Sequence, residues 1–265
     1  MPELAEVETW RRLAEDHVAG KRIAKVHAFK DEIVFDNTTH TRFARALKDR
    51  QIDAVLRKGK HLWMTLDKQP FPYFHFGMSG SFHVYRNEQQ RPTYLKTELI
   101  MDDGTRLGYR NVRRIGKVRL HEDPTAVPPI SKLGPDPYLE LPSNQWFIEF
   151  LGKRKAPIKA VLLDQKFAAG VGNWIADEVL YQAKIHPAKK ANVLSDAEIK
   201  TIRTKIRSII KKAVDVSADA ERFPSNWLFH HRWGKNAEAR TAKGEAITFE
   251  TIGGRTTAYV PAIQK

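Results

Sequence analysis

The second residue of the chain could act as a nucleophile. Met1 is followed by Pro2, a small residue that normally permits removal of the initiator methionine. The new N-terminus would be a secondary amine. An α-amino group has an unperturbed pKa of roughly 8, so part of it is neutral and nucleophilic at neutral pH without deep burial. Alternatively, Pro2 is simply a residue that often occupies this position.

Two further features could supply acid–base or phosphate chemistry. Glu3 adjoins Pro2, and a carboxyl group there can donate and accept protons; it could equally be a carboxylate that stabilises a helix N-terminus. Lys60 ends the run Arg57-Lys58-Gly59-Lys60, which predicts a turn with a local phosphate site beside a strand. An ordinary turn lysine is the alternative.

The composition indicates the class of partner. The 265 residues include 45 Lys or Arg and 31 Asp or Glu, a formal net charge of +14. This basic excess indicates a polyanionic partner, most simply nucleic acid, although a basic protein without such a partner has the same charge. Hydrophobic residues make up 42% of the chain, so we expect a real core. Since there is no cysteine, disulfides, a catalytic thiol and thiolate-bound metal are excluded.

The sequence also argues against a membrane or secreted protein. No apolar run approaches the roughly 20 residues of a membrane-spanning helix. Glu3, Glu6 and Glu8 lie where a signal peptide would have a basic and then an apolar stretch.

The predicted secondary structure that must position these residues changes from helix to strand along the first half of the chain. Helical spacing predicts a helix over 4–18, and residues from about 22 to 121 are β-like, which suggests a sandwich or flattened barrel. Strands are predicted at His61–Leu66, Tyr73–Met78, Ser81–Tyr85, Thr97–Met101 and Lys117–Leu120.

The second half of the chain is predicted to be mainly helical. One helix is expected over 144–152 and another from Pro157 to about Phe167. Ser195 to Glu198 form a capping box that opens a helix with an apolar inner face. Its outer face is basic, and a solvated surface is the ordinary explanation for that. Residues 245–260 predict a β-hairpin around two glycines.

Four separated segments of the sequence are distinctive. They are MPELAEVET at the start, RKGK at 57–60, HFGMSGS at 75–81 and GVGNWIADEVLYQAKIHP at 170–187. In this order, and over nearly the whole chain, they resemble the formamidopyrimidine-DNA glycosylase/endonuclease VIII family of base-excision repair enzymes. The resemblance implies an α+β fold. An N-terminal helix and a two-layered β-sandwich would be followed by a hinge, a helix–two-turn–helix motif and a β-hairpin finger.

The patterns and the resemblance together predict the domain organisation. We expect an N-terminal catalytic β-sandwich domain at 1–121, a linker at 122–142, a helical DNA-binding domain at 143–216 and a zincless finger hairpin at 217–265. The linker prediction depends on its density of prolines.

The resemblance implies catalytic roles for the first residues and for Lys60. Pro2 would attack C1′ of a deoxyribose and expel the base, leaving an iminium whose fixed positive charge promotes loss of the 3′-phosphate. Glu3 would act as acid and base, with Glu6 in a supporting role. Lys60 would contact phosphate at the lesion and aid base release.

A base inside a duplex must be flipped out before it reacts, and the family fills the gap with Met, Arg and Phe side chains. Met78 in HFGMSG matches the Met, and Arg113 in NVRRIG matches the Arg that faces the orphaned base. Ile115 stands where the family has Phe; a branched aliphatic chain can wedge between bases but cannot stack as a ring does. Without the resemblance, Met78 would be taken for a core methionine.

Three more residues match phosphate-binding positions of the family. Lys159 lies in KAPIK, and Asn173 lies at a glycine-rich helix entry whose free N–H groups can hold phosphate; helix capping explains Asn173 equally well. Arg255 would grip phosphates beside the lesion. A surface arginine in a GGR turn is the alternative.

The C-terminal segment departs from most of the family, which ends in a four-cysteine zinc finger. Val260 and Ile263 stand where the last C-x-x-C is expected, and His230 with His231 cannot make a closed tetrahedral site. This resembles the zincless finger of the plant and some animal branches, so we expect no metal and no other cofactor. Aromatic side chains would hold the finger instead: Phe229, Trp233, Phe249 and Tyr259.

The connection after the basic helix predicts the lesion preference. Family members that excise 8-oxoguanine well carry a long loop there, which closes over the flipped base. Only about a dozen residues separate Val214 from Trp227. We therefore expect an open pocket, with formamidopyrimidines and hydantoins as good substrates and 8-oxoguanine as a poor one.

The leading hypothesis is a metal-independent bifunctional DNA glycosylase/AP lyase. It would act as a monomer on double-stranded DNA containing oxidised bases or abasic sites, in a nucleoid or a nucleus and not at a membrane. The alternative is a non-catalytic DNA-binding protein of the same fold, against which the combination of Pro2, Glu3 and Lys60 argues. An RNA-binding protein is a third interpretation, without a suitable motif to support it.

Overall fold

Helix α1, Leu4–Val18, opens the regular structure where the helical spacing predicts it. The computed structural model describes residues 2–265. These residues divide into two units. The first contains Pro2 and residues 6–132, and the second contains Glu3–Ala5 and residues 133–265.

Eight strands of the first unit form two antiparallel sheets, in the orders β1-β6-β7-β5 and β2-β3-β4-β8. The strands are β1 Ile23–Ala28, β2 Ile52–Lys58, β3 His61–Leu66, β4 Phe71–His75, β5 Gly80–Tyr85, β6 Leu95–Met101, β7 Arg106–Asn111 and β8 Lys117–His121. Apolar side chains of both sheets share one buried cluster, so the predicted two-layered sandwich is confirmed. β4 ends at His75 and not at Met78, because Gly77 turns the chain with a positive φ of 62°.

A short helix, α2, His40–Leu47, lies in the region that the sequence predicts to be β-like. Thr39 caps it by accepting a hydrogen bond from the backbone N–H of Arg42. Phe43 and Leu47, at helical spacing, are fully buried. Burial of this face outweighs the weak local preference of a Thr-rich segment for extended backbone, which is why the β prediction is wrong here.

Residues 122–142 contain neither a strand nor an α-helix; they form turns and one 3₁₀ helix, Ile130–Lys132. The division between the two units falls directly after Lys132, within this proline-rich stretch.

The helices of the second unit include α3 Asn144–Gly152 and α4 Ile158–Leu163, followed by α5 Asn173–Ala183. α4 ends at Leu163 and not near Phe167, because the carbonyl of Asp164 accepts hydrogen bonds from the N–H groups of Phe167 and Ala168 in a turn. A second turn follows, so α4 and α5 form the expected helix–two-turn–helix motif.

Helix α6, Asp196–Asp215, begins at the predicted capping box of Ser195 and Glu198 and buries its apolar face. The predicted hairpin is formed by β9, Thr248–Ile252, and β10, Arg255–Tyr259. Within residues 2–265, no helix has both the length and the apolarity needed to cross a membrane. The α+β fold class is confirmed.

Candidate active site and phosphate-binding surface

Three turns meet at one end of the β-sandwich. Antiparallel pairing places the start of β3 beside the end of β4, with His61 opposite His75, and places His75 opposite Lys117 at the start of β8. The turns that carry Lys60 and Met78, and the 112–116 loop, are therefore neighbours. The last two are also the connections that pass from one sheet to the other. The sandwich topology thus brings together candidates that lie far apart in the sequence.

The Met78 turn and the 112–116 loop are bonded to each other. The backbone N–H of Arg113 donates to Ser79 Oγ at 3.0 Å. A Cβ on Gly77 would lie 2.8 Å from the carbonyl carbon of Ile115, so only glycine permits this approach. Met78 and Ile115 are each 43% exposed, which rules out the core-methionine interpretation. The structure therefore brings the three predicted gap-filling residues together at the surface.

A buried polar pair supports these turns from inside the sandwich. Tyr109 donates its hydroxyl hydrogen to the carbonyl of His75 at 2.9 Å. The Asn111 amide donates to the carbonyl of Phe76 at 3.1 Å and to the Tyr109 oxygen at 2.8 Å. Gly116 packs directly on both side chains. The Met78 turn and the 112–116 loop are therefore held by the same two buried residues.

Near the turn that carries Lys60, the structure contradicts the expectation that Arg57 adds to a phosphate site. Arg57 does not add to a phosphate site, because its side chain is fully buried and its Nε donates to Glu8 on α1 at 2.9 Å. Burial alone would raise the pKa of the Glu8 carboxyl, but the guanidinium groups of Arg57, Arg11 and Arg12 outweigh it and lower that pKa. Arg57 therefore anchors the turn on α1, and Lys60 lies in the turn directly before β3.

The imidazoles beside this turn are neutral at neutral pH. His61 stacks on His75, with 5.0 Å between the ring centroids. Burial, followed by nearby positive charges such as Lys60, lowers the pKa of His61 to about 3 and that of His75 to about 4. They therefore add no positive charge next to Lys60.

In the second unit, Glu3 caps the N-terminus of α5. It accepts hydrogen bonds from the backbone N–H groups of Trp174 at 2.8 Å and Ile175 at 3.1 Å, and it is 1% exposed. A Cβ on Gly172 would lie 2.3 Å from the Glu3 carboxyl carbon. The predicted helix-stabilising role therefore applies to α5 and not to the helix that Glu3 precedes. Glu6 lies in the first turn of α1 instead.

The first residue of α5 is also hydrogen-bonded to the β9–β10 hairpin. The Asn173 amide donates to the carbonyl of Thr256 at 2.8 Å, which places Arg255, exposed at the start of β10, near the first residue of α5. A Cβ on Gly253 would lie 2.8 Å from the Cβ of Ala160 on α4, so the hairpin turn contacts that helix. The structure therefore brings Asn173 and Arg255 together, as a phosphate-binding surface requires.

Lys159 does not contribute its charge to this surface. It is fully buried, and its ammonium donates to Asp177 and to the carbonyl of Asn173, the latter at 2.9 Å. Burial lowers the Lys159 pKa, and Asp177 opposes that effect. The expected direct phosphate contact is therefore corrected: Lys159 positions the residue that begins α5.

Sequence reasoning missed two adjacent acids on α5 and their partners. Asp177 accepts from Lys159, from Arg232 Nε at 3.0 Å and from the backbone N–H of Ala258 on β10 at 3.2 Å. Glu178 accepts from the backbone N–H of Phe229 at 2.9 Å, and burial raises its pKa to about 7. A signal was present, because two acids within the apolar run WIADEVL must be buried and therefore need partners.

The hairpin is held by an aliphatic cluster more than by the expected aromatics. Val260 is fully buried with Leu228, Ile247 and Ala258, and Ile263 packs against them, so apolar side chains fill the positions of the expected C-x-x-C. Four predicted aromatics behave differently: Phe249 packs on this cluster, Tyr259 is buried, Phe229 packs on the helical core and Trp233 is 51% exposed. No group of three or more metal-ligating side chains occurs among the described residues.

Pro2 is partly buried and is joined directly to the buried Glu3. The backbone N–H of Leu4 donates to the carbonyl of Gly170 at 3.0 Å. Chain termini are usually poorly ordered unless they are bonded, so residues 3 and 4 fix the chain immediately after Pro2. The predicted removal of Met1 concerns a residue outside those that the structure describes.

The comparisons with known proteins agree with this geometry. Residues 1–118 match the model of the formamidopyrimidine-DNA glycosylase N-terminal domain, and residues 133–225 match its H2TH domain. A formamidopyrimidine-DNA glycosylase of Arabidopsis thaliana is 44% identical over all of this chain and 71% of the relative. One of Bacillus subtilis is 34% identical over all of this chain and 99% of the relative.

Solved structures agree as well. The Lactococcus lactis enzyme bound non-covalently to DNA containing an AP site superposes with a TM-score of 0.86, at 28% identity and 99% coverage of both chains. A point mutant of the Lactococcus lactis enzyme in complex with DNA containing Fapy-dG gives 0.86 at 29% identity, with full coverage of both chains. The chain therefore belongs to the formamidopyrimidine-DNA glycosylase family.

Proposed function

We propose that the chain is a bifunctional DNA glycosylase and AP lyase of base excision repair. It excises oxidised bases from double-stranded DNA and then cleaves the strand. The observation that carries the proposal is the bonding of the residues next to Pro2. The carboxylate of Glu3 is buried on the N-terminus of α5, so the amine at position 2 is attached to a fixed segment.

The reaction starts with the secondary amine of Pro2, once Met1 has been removed. Its lone pair attacks C1′, and the glycosidic bond breaks with its electron pair leaving on the base. The proton of the bonded amine passes to the Glu3 carboxylate and from Glu3 to the sugar ring oxygen, so the bond from C1′ to the ring oxygen breaks, the ring opens and an iminium remains. The iminium acidifies the C2′ proton, so the 3′-phosphate leaves by β-elimination and the 5′-phosphate by δ-elimination. A one-nucleotide gap with phosphates on both ends results.

The remaining site residues bind and deform the DNA. Lys60 contacts phosphate at the lesion, and Arg255 with Asn173 holds phosphates beside it. Met78, Arg113 and Ile115 fill the gap left by the flipped base, and their shared exposed surface supports this role. Lys159 acts through Asn173, and Glu6 supports the N-terminal segment.

The lesion preference follows from the short connection between α6 and Trp227. This segment contains a 3₁₀ turn at Ala220–Arg222, and the Phe223 side chain is buried in the helical core. A segment of this length leaves the flipped base more accessible. Formamidopyrimidines and hydantoins are therefore the preferred substrates, and 8-oxoguanine is a poor one. Matched single-turnover rates on 8-oxoguanine and guanidinohydantoin duplexes would contradict this.

The protein acts on DNA, as a monomer, in the nucleoid if the source is bacterial and in the nucleus if it is eukaryotic. It needs no metal, and the helix N-terminus, lysine and arginine supply the positive charge for the phosphates.

Borohydride trapping tests the mechanism. With abasic duplex DNA, the protein should form a covalent adduct, and mass spectrometry should locate the bond on the amine of Pro2. A form that retains Met1 or an N-terminal tag should bind the duplex and give neither adduct nor strand cleavage. DNA binding without any adduct from the processed protein would identify a non-catalytic damage sensor instead.

A further inference from the structure

Arg114 lies between two of the proposed gap-filling residues and has a left-handed backbone, with a φ of 57°. A residue with a β-carbon stays in this region only when its surroundings hold it there. Since Arg113 and Ile115 flank Arg114, the directions in which their side chains leave the loop depend on this conformation.

One carboxylate holds the Arg114 side chain. Its Nε donates to Asp31 Oδ2 at 2.9 Å, and its Nη2 donates to Asp31 Oδ1 at 3.0 Å. Such a two-bond pair fixes the direction of the guanidinium as well as its distance. The Asp31 side chain is 4% exposed, whereas that of Arg114 is 48% exposed. Arg114 therefore reaches from the surface to a carboxylate that is embedded in the unit.

Asp31 is fixed independently of Arg114. Its carboxylate accepts hydrogen bonds from the backbone N–H groups of Ile33 and Val34, both at 3.2 Å. Lys96 on β6 donates to it at 2.8 Å. Burial opposes its ionisation, but the bonds from Arg114 and Lys96 outweigh burial and lower the pKa of Asp31 to about 2. The acceptor is therefore charged at neutral pH.

The segment after Asp31 is bonded to β8, which begins directly after the 112–116 loop. The N–H of Val118 donates to the carbonyl of Val34 at 2.8 Å, and Lys117 Nζ donates to the carbonyl of Ile33 at 2.7 Å. Strand β8 therefore continues the 112–116 loop and is also bonded to the segment that carries Asp31.

We propose that Asp31 is a positioning residue for the gap-filling loop: it holds Arg114 in the left-handed conformation and thereby presents Arg113 and Ile115 to the duplex. This inference rests on the proposed function and adds a residue that neither touches DNA nor reacts. Loss of Asp31 slows base excision from a duplex and weakens discrimination of the opposite base. It leaves strand cleavage at an abasic site in single-stranded DNA unchanged, because no gap has to be filled there.

Asp31→Asn is the test variant and Asp36→Asn is its matched control. Asp36 also pairs with one arginine through two bonds, from Arg119 Nε at 2.8 Å and Nη2 at 2.6 Å, but Arg119 lies on β8 and not in the loop. We expect Asp31→Asn to excise a formamidopyrimidine from a duplex about tenfold more slowly in single turnover, with less preference between opposite cytosine and adenine. Asp36→Asn should keep the unaltered rate within about twofold.

Cleavage of single-stranded abasic DNA, measured on the same preparations, should be equal in all three proteins, which shows that each is folded and active. Equal duplex excision by the two variants would overturn the proposal. If the unaltered protein neither excises a base nor forms the borohydride adduct, the proposed function is wrong. If the unaltered protein is active and Asp31→Asn excises at the same rate, only the inference about Asp31 is wrong.

Two substitutions at Arg114 separate its backbone from its side chain. Glycine adopts a positive φ without strain and alanine does not, so Arg114→Gly should excise from a duplex faster than Arg114→Ala. Adding Asp31→Asn to Arg114→Gly should have no further effect, because Asp31 acts through Arg114. A further loss of the same size as in the unaltered background would show that Asp31 acts by another route and would refute the assignment.

Discussion

Two carboxylates organise the two proposed DNA-contacting surfaces, and they differ in the exposure of their partners. Asp31 binds Arg114 and Lys96 beneath the gap-filling loop, and Asp177 binds Lys159 and Arg232 beneath the hairpin. The Arg114 and Lys96 side chains are 48% and 14% exposed, whereas those of Lys159 and Arg232 are 0% and 5% exposed. Both acids also accept backbone N–H groups.

Because of this difference, loss of Asp31 should mainly change the position of the loop, whereas loss of Asp177 should mainly lower the free energy of unfolding. If Asp31 is lost, the exposed guanidinium of Arg114 can turn to water at little cost, and the ammonium of Lys96, 14% exposed, keeps some access to water. If Asp177 is lost, two cations remain in the interior without a counter-charge, which is strongly unfavourable. The β-sandwich unit should therefore lose less stability with its carboxylate, at the expense of a misplaced loop, and the second unit should lose more.

The largest effect is expected from Asp177→Asn. It should lower the free energy of unfolding of the second unit by about 3–5 kcal/mol, because Lys159 and Arg232 stay buried and unpaired. Urea unfolding followed by tryptophan fluorescence measures this. Asp215→Asn is the control, since Lys211 and Asp215 form an exposed pair and its loss should cost less than about 1 kcal/mol. If Asp177→Asn lost no more stability than the control, Asp177 would not stabilise the second unit more than an exposed ion pair does.

Glu178 should give the second unit a characteristic pH dependence. Burial raises its folded-state pKa to about 7 from an unperturbed 4.5. The folded chain therefore holds a proton that the unfolded chain has lost between these values. This stabilisation is complete below about pH 4.5 and disappears as the pH rises through about 7, by at most about 3 kcal/mol.

Glu178→Gln removes this titration, and the amide oxygen can still accept from the N–H of Phe229. The stability difference between the two proteins, measured by urea unfolding at several pH values, should change over this interval in the stated direction. A difference independent of pH would mean that Glu178 is already ionised in the folded protein.

Elements with a plain periodicity could be predicted from the sequence. α1, β3 and α3 have the predicted limits, and the capping box of α6 is present, because each depends on residues close together in the chain. α2 could not be predicted in this way. Its helical state depends on burying Phe43 and Leu47 against the sandwich, which is tertiary information.

Residue types at the candidate site could be predicted, but not which charged groups face solvent. Arg57 and Lys159 both looked like phosphate ligands, and each is buried on an acid that the motif does not mention, Glu8 and Asp177. Glu3 finds its donors on a helix that begins at Asn173. Burial of a charge depends on partners distant in the sequence, so a motif specifies the charge and not its exposure.

The hairpin core offers a smaller test of how the second unit holds together. Val260→Ala should lower the free energy of unfolding by about 1–2 kcal/mol, because it removes buried methyl groups from the aliphatic cluster. Val193→Ala is the control at a position 60% exposed and should change it by less than about 0.5 kcal/mol. A chelator should leave the melting temperature of both unchanged. A chelator-dependent melting temperature would mean that a metal, and not this cluster, holds the hairpin.

Asp31→Asn is expected to cost less stability than Asp177→Asn, at most about 2 kcal/mol at neutral pH. The folded-state pKa of Asp31, about 2, lies below its unperturbed 3.8. Its stabilisation is therefore present above about pH 4 and is lost as the pH falls through about 2. The difference in unfolding free energy between the variant and the unaltered protein should shrink over that range. If Asp31→Asn instead lost as much stability as Asp177→Asn, both carboxylates would hold their units together, and slow duplex excision by Asp31→Asn would reflect unfolding and not a misplaced loop.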